Sequence, residues 1–523
     1  MRPAPSGTRT LSVRSGAVAA VASAVALIAP GVALADNQHG PKIDDRVAQA
    51  AAMTSSTTAI PVIVFGNQSA RLDPSLHSGV DLGLATAGTV PAGQLDAVAA
   101  DPNVAFVAPD VLMEPCALAG DRGGKALSPA SLKALYALVD DAPAAWSAGY
   151  AGNGVGIAVI DSGIDDGSLG NRLVLPAGTR HDADRYGHGT LVAHFAAGNL
   201  NGQYVGIAPQ ANVIDVAVGR RDGSVYTSDL VAGLMWVLAN KSQFNIRVVT
   251  ISLTETTPSS YATSFLDSVV ELLWRSGIVV VTAAGNNGPG AEEFAPANDP
   301  FAITVGATDS QGTADPSDDT VTPWSSSGLT LDGIPKPDLV APGRLVPGYL
   351  PYATALARQA PRQNWVADRV VEISGTSFSA PQVAGAAADV LQAHPDWTPD
   401  QVKTVLESSG RPQAGSLAPA LDVGAAVLTQ GSPVPANPGV PYAQLGTSPW
   451  VNTALQIGPS GLRGLLSLPG LHTLAAWSAA GWNAAGWNAA GWNAGGWNAA
   501  GWNAAGWNAA GWNAASWNAF GWS

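Results

Sequence analysis

Val155-Gly-Ile-Ala-Val-Ile160 is a short, nearly continuous apolar run rich in β-branched residues, and it ends on a carboxylate, Asp161. A run of this length without polar alternation predicts a strand buried on both faces. Asn212 to Val218, Val248 to Leu253, Ile278 to Ala283 and Ala302 to Gly306 repeat the pattern. Longer stretches of helical patterning lie among these runs: Thr190 to Ala197, Thr227 to Asn240 and Ser260 to Ser276. Buried strands alternating with helices predict an α/β domain, a parallel sheet with helices on both faces. In such a sheet polar chemistry gathers at the carboxyl ends of the strands, where Asp161 stands.

The chain has 523 residues, enough for several domains, of which 46% are hydrophobic and only 12% charged. That much apolar surface excludes a wholly disordered protein. A formal charge of −14 argues against a nucleic-acid partner, because phosphate recognition needs a basic footprint. Cys116 is the single cysteine, which excludes an intramolecular disulfide and a Cys-based zinc site of the usual kind.

The two ends differ from the middle. Arg2, Arg9 and Arg14 precede an apolar run from Gly16 to Ala29, a Pro30-Gly31 break and the small-x-small pattern Ala33-Leu34-Ala35. Residues 1–35 therefore read as a signal peptide, the alternative being an uncleaved anchor. The reading places the rest of the chain outside the cytoplasm, secreted or associated with a cell envelope, and the near absence of cysteine suits a bacterial one. No later stretch has about 18 unbroken apolar residues, so no second span is expected. After Asp422 the only charged residue is Arg463. Residues 429–475 read as a Pro/Gly-rich linker, and 476–523 as a tail in which Trp recurs every five residues from Trp477 to Trp522. A period of five fits neither helix nor strand. The tail reads as a flexible low-complexity segment, as an adhesive one whose rings stack on envelope or carbohydrate, or as a short solenoid.

Chemistry-bearing residues sit at strand ends and helix starts. Asp161 could hold an imidazole, or simply stabilise a turn. His188 lies in Tyr186-Gly-His-Gly-Thr190, where the glycines permit close approach, whereas His194, inside the same helical pattern, reads as structural. Ser377 opens a long helix in Ser374-Gly-Thr-Ser-Phe-Ser-Ala-Pro-Gln-Val-Ala-Gly385 and gains from the exposed amides there; an N-capping serine would favour the same position. Pro381 is expected in the first turn, which needs no amide from it. Asn286, in Thr282-Ala-Ala-Gly-Asn-Asn-Gly288, could donate to an oxyanion, with Asn287 as its competitor.

In chain order, Asp161, His188, Asn286 and Ser377 in these contexts resemble the subtilisin-like serine peptidases, the subtilase family, whose triad runs Asp, His, Ser. Gly206-Ile-Ala-Pro209, Trp324-Ser-Ser-Ser-Gly328 and Lys336-Pro-Asp-Leu-Val-Ala-Pro-Gly343 extend the resemblance over about residues 140–425. It implies a subtilisin-like peptidase domain over 119–428. The stretch Ala100-Asp-Pro-Asn-Val-Ala-Phe-Val-Ala-Pro-Asp110 resembles the end of an inhibitory propeptide, which gives a small α+β propeptide over 36–118. Its first strand would be Ile60 to Phe65, with maturation between Pro115 and about Pro129. The implied roles are Ser377 as nucleophile, His188 as base and acid, Asp161 as orienter and Asn286 as oxyanion donor, with Ser252, Leu253, Thr254 and Gly285 lining the substrate. Protein or peptide substrates and the chain's own propeptide, acting as inhibitor, would be the partners. No cofactor or catalytic metal is required. Structural calcium is common in the family, but the acidic loop Asp315, Asp318 and Asp319 reads as solvated turn residues. Three positions depart from the pattern: Leu191 where many relatives have a second His, His194 where they have Gly, and Thr254 where Ser-Leu-Gly would end in Gly. The triad and the oxyanion position remain filled, which implies an active enzyme. The alternative is a catalytically silent scaffold of the same fold whose Trp-repeat tail binds envelope or carbohydrate.

Overall fold

The computed structural model describes residues 42–66, 76–82, 85–117, 133–176, 184–219 and 223–443. The expected leader, the repeat tail and the linker from residue 444 onward lie outside the described residues.

An N-terminal unit comes first, made of α1 (Asp45–Ala52), β1 (Ala59–Gly66), β2 (His77–Asp81), β3 (Ala85–Pro91), α2 (Leu95–Ala100) and β4 (Val104–Pro109). Its strands form an antiparallel sheet in the order β2-β3-β1-β4. Alternation along β1 explains its place. Ile60, Val62 and Val64 join a small core with Val47, Leu95 and Val98 of the two helices. Ile63 and Phe65 point the other way into the main core, where Phe65 meets Phe265 edge-on at 4.1 Å between ring centroids. One face of this sheet thus closes its own core, and the other packs on the larger domain. Polar ties reinforce the docking: Arg46 pairs with Glu255 at 2.8 Å, and Asp110 accepts from the Ser228 amide and hydroxyl, both at 3.0 Å. A short strand, β5 (Leu112–Pro115), then leads away from the unit.

The larger domain is built on β6 (Gly156–Asp161), β7 (Leu173–Val174), α3 (His188–Ala197), β8 (Asn212–Ala217), β9 (Val225–Tyr226), α4 (Thr227–Phe244) and β10 (Ile246–Ile251). It continues with β11 (Leu253–Glu255), α5 (Phe265–Arg275), β12 (Val279–Ala283), β13 (Ile303–Asp309), β14 (Thr320–Val321), β15 (Leu339–Pro342) and α6 (Thr376–Ala393). The central sheet runs β14-β13-β12-β10-β6-β8-β7 with β15 also on β13, and only the β13–β14 pairing is antiparallel. The chain leaves β6 for β8 on one side and returns to β10 on the other. That reversal opens a crevice at the carboxyl end of β6, where Asp161 lies. Helices α3 and α6 pack together over one face, α4 and α5 over the other.

Two local expectations need correction. The helix expected from Ser260 starts only at Phe265, because the Ser264 hydroxyl caps it by accepting from the Asp267 amide at 3.2 Å. Pro381 is not in the first turn: α6 begins at Thr376, so Pro381 is its sixth residue. The missing amide orphans the Ser377 carbonyl, and the Ser252 hydroxyl donates to that carbonyl at 3.0 Å instead.

Residues 429–443, the start of the predicted linker, lie against the larger domain. Tyr442 stacks on Phe301 at 4.3 Å, and the Ala443 amide donates to both carboxyl oxygens of Glu271, at 2.9 and 3.0 Å. Burial, with Asp299 nearby, pushes Glu271 up to about 9. A carboxyl raised in the fold stabilises below its unfolded value near 4.5, and that contribution is lost as pH rises through about 9. Glu271→Gln keeps an acceptor for Ala443 without the ionisation. It should raise the melting midpoint at pH 9 by about 4 °C, with little change at pH 4.5, in paired thermal scans.

Candidate active site

Asp161, His188 and Ser377 come from three elements that meet at the crevice. Asp161 ends β6 and is 2% exposed. Its two carboxyl oxygens are each 2.9 Å from His188 Nδ1, and the Ser162 amide donates to Oδ1 at 2.7 Å. His188 is the first residue of α3. The helix comes this close because Gly189 follows: a Cβ there would stand 2.3 Å from the Gly163 carbonyl oxygen and 3.0 Å from Asp161 Cβ. His188 Nε2 is buried and has no partner among the described residues.

Ser377 is the second residue of α6 and fully buried. Its hydroxyl donates to the Ser252 carbonyl at 3.2 Å, so in this arrangement it is not bonded to His188. Asn286 lies just beyond β12. Its Oδ1 accepts from the Thr376 amide and hydroxyl, both at 3.1 Å, which fixes the orientation of the side-chain amide. Nδ2 is left buried and unpartnered among the described residues. Asn287, the competing residue, is exposed. Gly285 donates its amide to Thr376 Oγ1 at 3.1 Å, beside the start of α6.

The crevice is occupied by the chain itself. β5 pairs antiparallel with β11, matching Pro115 to Leu253, Glu114 to Thr254 and Met113 to Glu255, and on its other edge β5 pairs with β9. The expected lining residues Ser252, Leu253 and Thr254 therefore do border an extended segment. Beyond β5 the Cys116 amide donates to the Ser252 carbonyl at 3.2 Å, and the Ser377 amide donates to the Cys116 carbonyl at 3.1 Å. Gly375 makes room for this carbonyl, since a Cβ there would be 2.3 Å from the Cys116 oxygen.

Sequence reasoning missed Asp184. Buried beside the site, it accepts from Ser162 Oγ, the amides of Tyr186, Gly187 and Thr190, and Thr190 Oγ1, at 2.7 to 3.1 Å. These bonds hold the loop that presents His188. An Asp just before a glycine-bounded helix start was the available signal. His194 sits in α3 with neither ring nitrogen bonded among the described residues, and burial pushes it down to about 3, so it packs as a neutral ring. Among the described residues no cluster of three or more His, Cys, Asp or Glu forms a metal site. In the acidic loop, Asp315 accepts from Ser317 N and Asp318 from Thr313 Oγ1, both exposed as expected. Asp319 is not solvated: it is 4% exposed, accepts from Thr308 Oγ1, and burial pushes it up to about 7.

The subtilase family model matches residues 152–425. Serine protease AprX of Bacillus subtilis is 36% identical over 280 residues, covering 49% of this chain and 61% of its own length. Subtilisin E of the same species is 35% identical over 277 residues, 51% of this chain and 63% of its own. The chain thus spans about three-fifths of each of these relatives. Subtilisin of Bacillus pumilus is 35% identical over 277 residues, which are 88% of that protein. Among solved structures, fervidolysin of Fervidobacterium pennivorans, described as a keratinolytic enzyme related to subtilisin, aligns with a TM-score of 0.56. That alignment covers 72% of this chain and 61% of fervidolysin at 21% identity, a likeness of fold.

Proposed function

This chain belongs to the subtilase family, and from that premise we propose that it is an exported serine endopeptidase made as a self-inhibited zymogen. The observation that carries the reading is the seating of the Cys116 carbonyl on the Ser377 amide, at the end of a strand pinned to Leu253–Glu255. An amide donating to the carbonyl under attack is half of an oxyanion hole, and Asn286 Nδ2, buried and without a partner among the described residues, supplies the other half.

Ser377 Oγ attacks the peptide carbonyl after turning from the Ser252 oxygen to His188 Nε2. His188 takes the hydroxyl proton and returns it to the leaving amine. Asp161 holds the ring by Nδ1 and stabilises its charged form without taking the proton. Catalysis in this family needs no cofactor. The N-terminal unit acts as propeptide: its sheet, Arg46 and Asp110 anchor it while the segment after it fills the crevice. The basic start, apolar run and Ala-x-Ala pattern support export, and the Trp-rich tail would hold the enzyme at an envelope.

A fluorophosphonate probe tests the reading. It should label one serine, Ser377, in protein recovered from the medium or envelope of the producing cells; labelling absent from every fraction would refute it. Asn286→Ala should lower kcat on a peptide substrate by about 10²–10³ with KM held, the scale measured for such a donor in a subtilisin. A change in KM alone would make Asn286 a binding residue instead.

A further inference from the structure

The crevice holds a particular side chain as well as a backbone. Cys116 is 5% exposed, and its Sγ lies 3.6 Å from Thr254 Oγ1. Burial pushes the thiol up to about 12, so the residue sits there as a small neutral group. Thr254 is itself buried, on the strand that pairs with β5. Three residues before Cys116, Met113 is 1% exposed between Glu255 of β11 and Val225 of β9, a second apolar anchor. Ala117 follows immediately, and the Cβ that Gly375 lacks would stand 2.9 Å from its Cα and 2.3 Å from the Cys116 oxygen. The peptide bond lying against the start of α6 is therefore the one joining Cys116 to Ala117.

We propose that Cys116–Ala117 is the first bond this enzyme breaks, and that Thr254 restricts the residue before the cut to small uncharged side chains. This rests on the peptidase reading above. In the first step Ser377 Oγ bonds to the Cys116 carbonyl carbon, the bond to the Ala117 nitrogen breaks, and that nitrogen takes the proton carried by His188. Water then adds to the acyl carbon, giving one proton to His188 and then on to Ser377 as its ester bond breaks. A Cys116 carboxyl group and a free serine remain. The specificity follows from volume. A side chain longer than Cys would press on Thr254 Oγ1, which lies 3.6 Å from Sγ on a residue only 6% exposed. Substrates should be extended segments with an apolar residue in the Met113 position and Ala, Ser or Cys before the cut.

The test uses the full chain and, after maturation, internally quenched peptides Met-Glu-Pro-X-Ala with X as Ala, Cys, Phe or Lys. The mature N-terminus should be Ala117, and kcat/KM for X as Ala should exceed that for Phe by about 10-fold or more, as a pocket built for fewer methylenes requires. In the full chain Cys116→Phe should mature slowly, and adding Thr254→Gly should restore the rate by about 10-fold. The same Thr254→Gly change should invert the Ala/Phe preference on peptides. A protein that takes the fluorophosphonate label but opens at another bond overturns the assignment of the bond. Equal rates for Ala and Phe, or no gain with Thr254→Gly, overturn the role of Thr254. Preference for Lys would overturn it too, and would give the pocket to Glu292, a buried carboxyl close enough to Cys116 to help raise its thiol. A protein that neither labels nor matures fails at the peptidase reading itself.

Discussion

Ser377→Ala should keep the chain at its unprocessed length and reduce peptide hydrolysis by about 10⁶, the scale of the same deletion in a subtilisin. The loss is this large because the acyl bond forms on the Ser377 hydroxyl and the triad works as a unit, so removing the nucleophile removes the whole covalent route. His188 would retain its ring position, since its bonds run to Asp161 and not to the serine. Folding should be little affected: the hydroxyl makes one contact, to the Ser252 carbonyl at 3.2 Å, and removing such a bond costs about 1 kcal/mol. Intact mass over time separates the outcomes. The wild type should lose its N-terminal segment while the alanine variant remains whole with an unchanged melting midpoint. If both lost the same segment at the same rate, an outside protease would be cutting the chain, and the self-processing reading would fall.

The parts legible in the sequence were those whose cause is local. The apolar run before Asp161 and the glycines around His188 announce a buried strand and a close helix approach because each constraint acts within a few residues. Long-range causes were not legible. Where α6 begins depends on Asn286 Oδ1 capturing the Thr376 amide from 90 residues away, so the turn containing Pro381 could not be placed from its own neighbourhood. β5 is four residues, Leu-Met-Glu-Pro, with no hairpin signal, and becomes a strand only between β9 and β11. Asp184 carried the weakest signal of all, since its donors come from separate loops and one helix start. The specificity of the crevice was half legible: Thr254 stood out as a departure, but its consequence needed the Cys116 side chain beside it.

Asp161→Asn should lower kcat by about 10⁴, the scale of the same change in trypsin, without disturbing the packing of the site. The Ser162 amide donates to Oδ1 of the carboxylate, so the asparagine carbonyl oxygen must stay at that position. The new amide NH2 is then forced to the Oδ2 position, 2.9 Å from His188 Nδ1. Oδ1 is equally near Nδ1 but is already engaged by the Ser162 amide, so the donor at Oδ2 favours Nδ1 as an acceptor and shifts the ring proton to Nε2. That is the nitrogen meant to receive the serine proton, so the base is blocked by a tautomer and not by a displaced ring. A packing defect would instead lower the melting midpoint along with the rate. The measurements are kcat on a fixed peptide, the melting midpoint, and the ¹⁵N shifts of the His188 ring. The expected result is a large kcat loss, an unchanged midpoint and protonation moved from Nδ1 to Nε2. Activity within about tenfold of wild type would mean that Asp161 does not set the tautomer, and the triad roles would have to be reassigned.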